Sequence, residues 1–271
     1  MAVFQQKESY TLEDLLQIMR VLRSPEGCPW DREQTHQSIR RNFVEEVYEA
    51  CEAIDLQDDP LLIEELGDVL LQVVFHAEIA KEENRFDFDT VCDGICKKLI
   101  VRHPHIFGDL KLKTNGSDEV LTNWEAIKNQ TKHQTTYTES LKAVAKSLPA
   151  LMRAEKVQGR AKRAGMDWNA VEPVVEKLGE EVREFSDAVA GQGDPTAELG
   201  DILFTAVNAA RHLGIDPEEA LNQATERFVT RFEAVEAQCQ AASVSMPEAG
   251  LETLDKFWEA AKQTETGREA R

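Results

Sequence analysis

One acidic pattern is written twice in this chain, and the duplication limits what it can fold into. Glu45-Glu46-Val47-Tyr48-Glu49 is followed by Glu65-Leu66-Gly67-Asp68, and Glu180-Glu181-Val182-Arg183-Glu184 is followed by Glu198-Leu199-Gly200-Asp201. The intervening stretch is 15 residues in the first copy (50–64) and 13 in the second (185–197), room for a helix end, a turn and a new helix start. On a helix, Glu46 and Glu49, Glu65 and Asp68, Glu181 and Glu184, and Glu198 and Asp201 are i,i+3 pairs, and each pair shares a face. The spacing therefore predicts, in each copy, two helices that face each other with their acids in register.

The match runs beyond the acids. Val47 aligns with Val182, Ala53 with Ala188, Val69-Leu70 with Ile202-Leu203 and Val74 with Val207; Lys98-Leu99 and Arg102 align with Arg227-Phe228 and Arg231. A chain of 271 residues with 42% hydrophobic content can bury two cores of ordinary size. No segment sustains a period of two, so the expected fold is all-α, with tandem duplicated domains of four helices each. The expected domains are residues 1–133 and 134–271, with a linker near 131–145 and a disordered tail from about 263.

Helices are expected over 11–23, opened by a Thr11–Asp14 capping box, over 35–56, over 61–80 and over 88–102. Pro25, Gly27 and Pro29 break the chain after the first and hold Trp30 in a loop. Phe43, Val47, Ala50 and Ile54 make one stripe of the second helix, and the third is apolar enough to be buried on most sides. A short helix around Trp124 and Ile127, a helix from Leu148, the second pair of acidic helices and a last helix over 251–262 complete the plan.

Apolar packing of the paired helices would crowd four carboxylates together, at a cost that a cation or protonation relieves. Oxygen donors alone point to a hard ion, Mg2+ with Mn2+ as the alternative. A single EExxE would read as a solvated face; two copies, each followed by ELGD, favour a site. Gly67 and Gly200 lie inside apolar helices, where glycine costs about 1 kcal/mol against alanine, so a packing or ligand reason is expected. The net charge of -19 argues against direct nucleic-acid binding, and any phosphate ligand needs bridging cations. Five scattered cysteines without zinc spacing, no leader pattern and no long apolar run give the expectation of a cytoplasmic protein with no membrane partner.

The EExxE and ELGD words, Cys28-Pro29-Trp30-Asp31, Arg102-His103-Pro104-His105-Ile106-Phe107 and the tandem repeat together resemble the MazG family of the all-α NTP pyrophosphatase superfamily, over about residues 12–262. The acidic words are shared with dUTPase-like and phosphoribosyl-ATP pyrophosphatase relatives. The resemblance implies Mg2+-dependent hydrolysis of nucleoside triphosphates to the monophosphate and pyrophosphate by a homodimer. It implies Glu181, Glu184, Glu198 and Asp201 as metal ligands in the second repeat, with Glu46, Glu49, Glu65 and Asp68 as their counterparts. Glu180, or Glu45, is the weaker candidate for holding the attacking water. Trp258 resembles the aromatic that family members place near the base, with an ordinary core role weighing about as much.

Basic groups must also meet a triphosphate. Lys177 precedes Glu181 by four residues and Glu184 by seven, hence lies on their face, and is the preferred phosphate ligand; a salt bridge to Glu181 weighs equally on spacing. Arg227 and Arg231, also four apart, are further candidates. Opposite Lys177 the first repeat carries Asn42, which makes the second domain the expected principal triphosphatase. Asp194-Pro195-Thr196-Ala197 departs from the family, where acidic and lysine residues often precede ELGD. The competing class is a non-catalytic helical scaffold that senses Mg2+ or nucleotide and binds a partner; the completeness of both acid sets favours the enzyme. The basic stripe Arg153, Lys156, Arg160 and Arg163 reads as a solvated face.

Overall fold

In a computed structural model, which describes residues 4–108 and 136–269 and the side chains through 263, helices are the only repetitive secondary structure among the described residues. The chain divides into two compact units, Met1–Lys128 and Asn129–Arg271. The expected boundary at 133/134, the first part of the linker (131–135) and the short helix around Trp124 lie outside the described residues.

The first unit contains α1 (Leu12–Leu22), α2 (Pro29–Glu33), α3 (Arg40–Leu56), α4 (Asp59–Glu82), α5 (Phe88–Arg102) and α6 (Pro104–Phe107). Thr11 and Asp14 form the expected capping box on α1, Asp58 caps α4 and Asp87 caps α5, each accepting an orphan N–H of the first turn. Helix α3 ends on Gln57 in the left-handed conformation. It packs along α4, and α1 packs against the far half of α4. Leu16, Met19, Ile39, Val74, Phe75 and Ile79 close the core there.

In the second unit α7 (Tyr137–Lys142) precedes α8 (Ala150–Arg163), α9 (Glu172–Val189), α10 (Pro195–Leu213), α11 (Pro217–Ala241) and α12 (Leu251–Glu269), with one 3-10 turn at Met246–Glu248. Helices α9 and α10 repeat the pairing of α3 with α4, and α8 packs on α10 as α1 does on α4. Val174, Val207, Val235 and Cys239 are buried.

Several expectations change. Thr136 and Glu139 form a second capping box that starts α7, so 137–142 of the expected linker is helical. The last helix continues to Glu269 instead of ending near 262, since no proline interrupts 263–269. The ELGD helix α4 is not buried on most sides: its second half is, but Ile63 is 74% exposed and Leu66 53%. On α3, Ala50 and Ala53 take the buried positions while Val47 and Ile54 stay exposed. The helices that surround this half of α4 within the chain are too few to cover its apolar circumference. No helix among the described residues is long and apolar enough to cross a membrane.

Candidate active site

The facing helices bring the acids together as the spacing predicts, in both units. In the first, carboxylate oxygens of Glu46 and Glu49 on α3 and Glu65 on α4 lie within 4.8 Å of one another; in the second, those of Glu181 on α9 with Glu198 and Asp201 on α10 do. Each group therefore holds three of the four expected ligands. Asp68 stands outside the first triad but its charge acts on Glu46. Glu184 stands outside the second, hydrogen-bonded to Glu181. Like charges this close are held by the packing of the helices, α3 on α4 and α9 on α10, and not by each other.

The electrostatics bear the strain of that crowding. The Glu46 carboxyl is pushed above its ordinary value by burial first, then by Asp68, Glu49 and Glu65. Glu65 rises likewise, through burial and then Glu49. Glu184 is pulled down by the charge of Lys177, but burial and the hydrogen-bonded Glu181 outweigh that pull and its value rises. Glu181 is only 6% exposed. Donors of carboxylate oxygen only, converging from two helices, fit a hard divalent cation such as Mg2+.

Lys177 lies 2.9 Å from Glu181 and 3.1 Å from Glu180, so the ion pair that spacing left open is present. Its value is raised, by the hydrogen bond to Glu181 first and that to Glu180 second. Arg231 lies over the Trp258 ring, 5.8 Å from its centroid, and Trp258 packs on Phe228 at 5.0 Å. These side chains form one group at α11 and α12, and Arg227 is exposed on α11. The carboxylates form another group, at α9 and α10. Gly67 and Gly200 meet nothing within 4 Å of an added Cβ, so no close approach inside the chain explains either glycine. Of the basic stripe, Arg153, Lys156 and Arg163 are exposed, while Arg160 donates to the Ser140 carbonyl.

Sequence reasoning passed over a second set of polar residues, between α8, the loop after it and the second half of α10: Gln158 and Asn208, both buried, with Asp167, Arg211 and His212. The available signal was Asn208, a polar residue in the apolar run of α10, seven residues and two turns beyond Asp201. In the first unit His36 and His76 pair through their Nδ1 atoms at 2.7 Å, with rings stacked at 5.0 Å; burial and then His36 lower the His76 value.

Residues 34–107 and 170–235 match the MazG nucleotide pyrophosphohydrolase domain. The chain is 45% identical over 259 residues to a nucleoside triphosphate pyrophosphohydrolase of Escherichia coli K12, covering 94% of this chain and 98% of that one. It is 44% identical over 253 residues to the nucleoside triphosphate pyrophosphohydrolase/pyrophosphatase MazG of Thermotoga maritima, covering 92% and 95%. A nucleoside triphosphate pyrophosphohydrolase of Mycolicibacterium smegmatis is 40% identical over 157 residues, 57% of this chain and 47% of that one.

Proposed function

The chain belongs to the MazG nucleotide pyrophosphohydrolase family and hydrolyses nucleoside triphosphates; from that premise we propose that it does so with Mg2+, mainly at the α9–α10 site, releasing pyrophosphate. The observation that carries this reading is the triad of Glu181, Glu198 and Asp201 with Lys177 beside Glu181. The first unit's acid cluster has Asn42 where Lys177 stands.

Glu181, Glu198 and Asp201 would hold the cation, with Glu184 joining them once its hydrogen bond to Glu181 gives way; Glu46, Glu49, Glu65 and Asp68 would do the same in the first unit. Mg2+ held there would supply neutralising charge for the phosphates. Lys177 trades part of its bond to Glu181 for a phosphate oxygen, and Glu180, half exposed at its other side, accepts a hydrogen bond from the attacking water.

The protein works as a homodimer. The uncovered apolar surface of the acidic helices supports this: Leu66 on α4, Val182 on α9 and Leu199 and Leu203 on α10 are all exposed in the single chain. A net charge of -19 supports free nucleotides over nucleic acid as ligands, and a cytoplasmic location, where these are made, fits the free cysteines.

Incubation with each NTP and dNTP and Mg2+ tests the proposal. Pyrophosphate with the monophosphate is expected; orthophosphate alone would exclude the stated bond cleavage, and no turnover would restore the non-catalytic scaffold.

A further inference from the structure

The two acid clusters differ in the cation beside them. Lys177, four residues before Glu181 on α9, bonds Glu181 at 2.9 Å and Glu180 at 3.1 Å, and Glu181 is the buried member of its triad. The ammonium occupies a lone pair of a carboxylate that a metal would use, and its charge repels a dication seated at the same group. It reaches the neighbouring acid as well, since its charge weighs first on the Glu184 carboxyl. The second cluster therefore carries a resident counter-cation that has to shift before Glu181 is free.

The first cluster has no such group in register. Asn42, which is neutral, stands four residues before Glu46 on α3. Arg41, the cation next to it, bonds Glu45 at 2.7 Å, outside the triad, and its side chain is 87% exposed. The strongest charges on Glu46 are Asp68, Glu49 and Glu65, and those on Glu65 are Glu49, Glu64, Asp68 and Glu52, all of them negative. Crowded carboxylates with no counter-cation hold a dication more tightly than carboxylates that already have one, because affinity at oxygen sites follows the charge of the ligand set.

We propose that Lys177 gates metal entry at α9–α10: without nucleotide the second cluster keeps its lysine and takes a divalent cation weakly, whereas the first cluster takes one by itself. A triphosphate offers Lys177 another anionic partner. As Nζ turns to a phosphate oxygen, Glu181 is released to the cation that accompanies the phosphates. Metal and nucleotide then favour each other at the second site through one side chain, and each tightens the other by the same factor. Lys177 is partly exposed, so it can make that turn without unpacking α9. The inference rests on the pyrophosphohydrolase reading and adds to it an order of entry and a difference between the two sites.

Mn2+, which takes the same carboxylate donors as Mg2+ and whose free ion is counted by electron paramagnetic resonance, tests this on the full chain without nucleotide. The wild type is expected to take up one Mn2+ per chain, and Glu49→Gln none in the same concentration range. Lys177→Met is expected to take up two, its second site tightened by about 10- to 100-fold, the effect of removing one charge-assisted hydrogen bond. Lys177→Arg keeps the charge and is expected to stay at one. Two equal sites in the wild type, no site at all, a single site abolished by Asp201→Asn instead of Glu49→Gln, or a Lys177→Met protein that still takes up one overturns the gate. Circular dichroism checks each variant; where Glu49→Gln or Lys177→Met does not fold, Glu65→Gln or Lys177→Gln takes its place. Pyrophosphate release by the same wild-type protein keeps two failures apart. Activity together with two equal Mn2+ sites overturns the gate alone, while a protein that hydrolyses no triphosphate overturns the pyrophosphohydrolase reading, and the Mn2+ counts still decide the role of Lys177.

Discussion

Lys177 Nζ stands 2.9 Å from Glu181 Oε1, a cation set against a carboxylate of the very triad that would bind a metal. In the first unit the equivalent position is Asn42, and the carboxylates there repel one another with no lysine among them. The two sites draw on matching acidic words and differ in charge.

Lys177→Gln is therefore expected to cut kcat/KM for triphosphates by about 10- to 100-fold, the worth of one charge-assisted hydrogen bond of about 1.5–3 kcal/mol. A fall confined to KM would identify a phosphate contact held equally through the reaction; an equal fall in kcat would place it in the transition state. Unchanged kinetics would leave Lys177 a structural partner of Glu181 only.

Glu184→Gln and Glu49→Gln remove one carboxylate from each site. Pyrophosphate release is expected to be lost with the first and largely kept with the second. Loss with Glu49→Gln alone would move the principal activity to the first unit.

Acid should weaken the two units in separate ranges. The His76 value is lowered in the folded protein by burial and by His36, so its contribution is complete above the unfolded value near 6.5 and declines as pH falls below it. Asp167 is lowered as well, because its bonds to Arg211 and His212 outweigh the opposing burial; its contribution declines only below the unfolded value near 3.8. Calorimetric melting between about pH 7.5 and 5.5 is expected to lose stability in the wild type and less in His76→Phe. An identical decline in both would exclude the histidine pair as its source.

Leu203→Glu places a charge on the uncovered face of α10, where Leu203 is 48% exposed. Light scattering is expected to find a dimer in the wild type and a monomer in the variant, with the chain still helical by circular dichroism. A wild-type monomer would leave these faces to another partner.

Gly200→Ala meets no atom within 4 Å in the chain and removes a helix-interior glycine, so a monomeric background should gain about 1 kcal/mol. In the assembled protein the same change is expected to weaken association, if the glycine admits a neighbouring copy's backbone. A gain in both backgrounds would mean that the position serves no contact.

The helices and the acidic triads were legible because both follow from spacing: i,i+3 acids on two facing helices meet whatever the loops do. Burial was not. Leu66 read as core because sequence records how apolar a helix is and not how many neighbours arrive to cover it. Residues 137–142 read as linker because six polar-rich residues show no period, although Thr136 and Glu139 carried a cap signal. Gln158 and Asp167 stayed hidden for a different reason, since an unmet acceptor is a property of its surroundings and leaves no mark in the residue type.

In the first unit the Arg23 side chain, 5% exposed, lies 5.3 Å over the Phe75 ring of α4. Its guanidinium ties together Glu82 and the carbonyls of Asp31 and Gln34, so replacing it with a small residue would open space only by orphaning acceptors that the loop depends on. Arg23, Phe75 and the loop therefore change together or not at all.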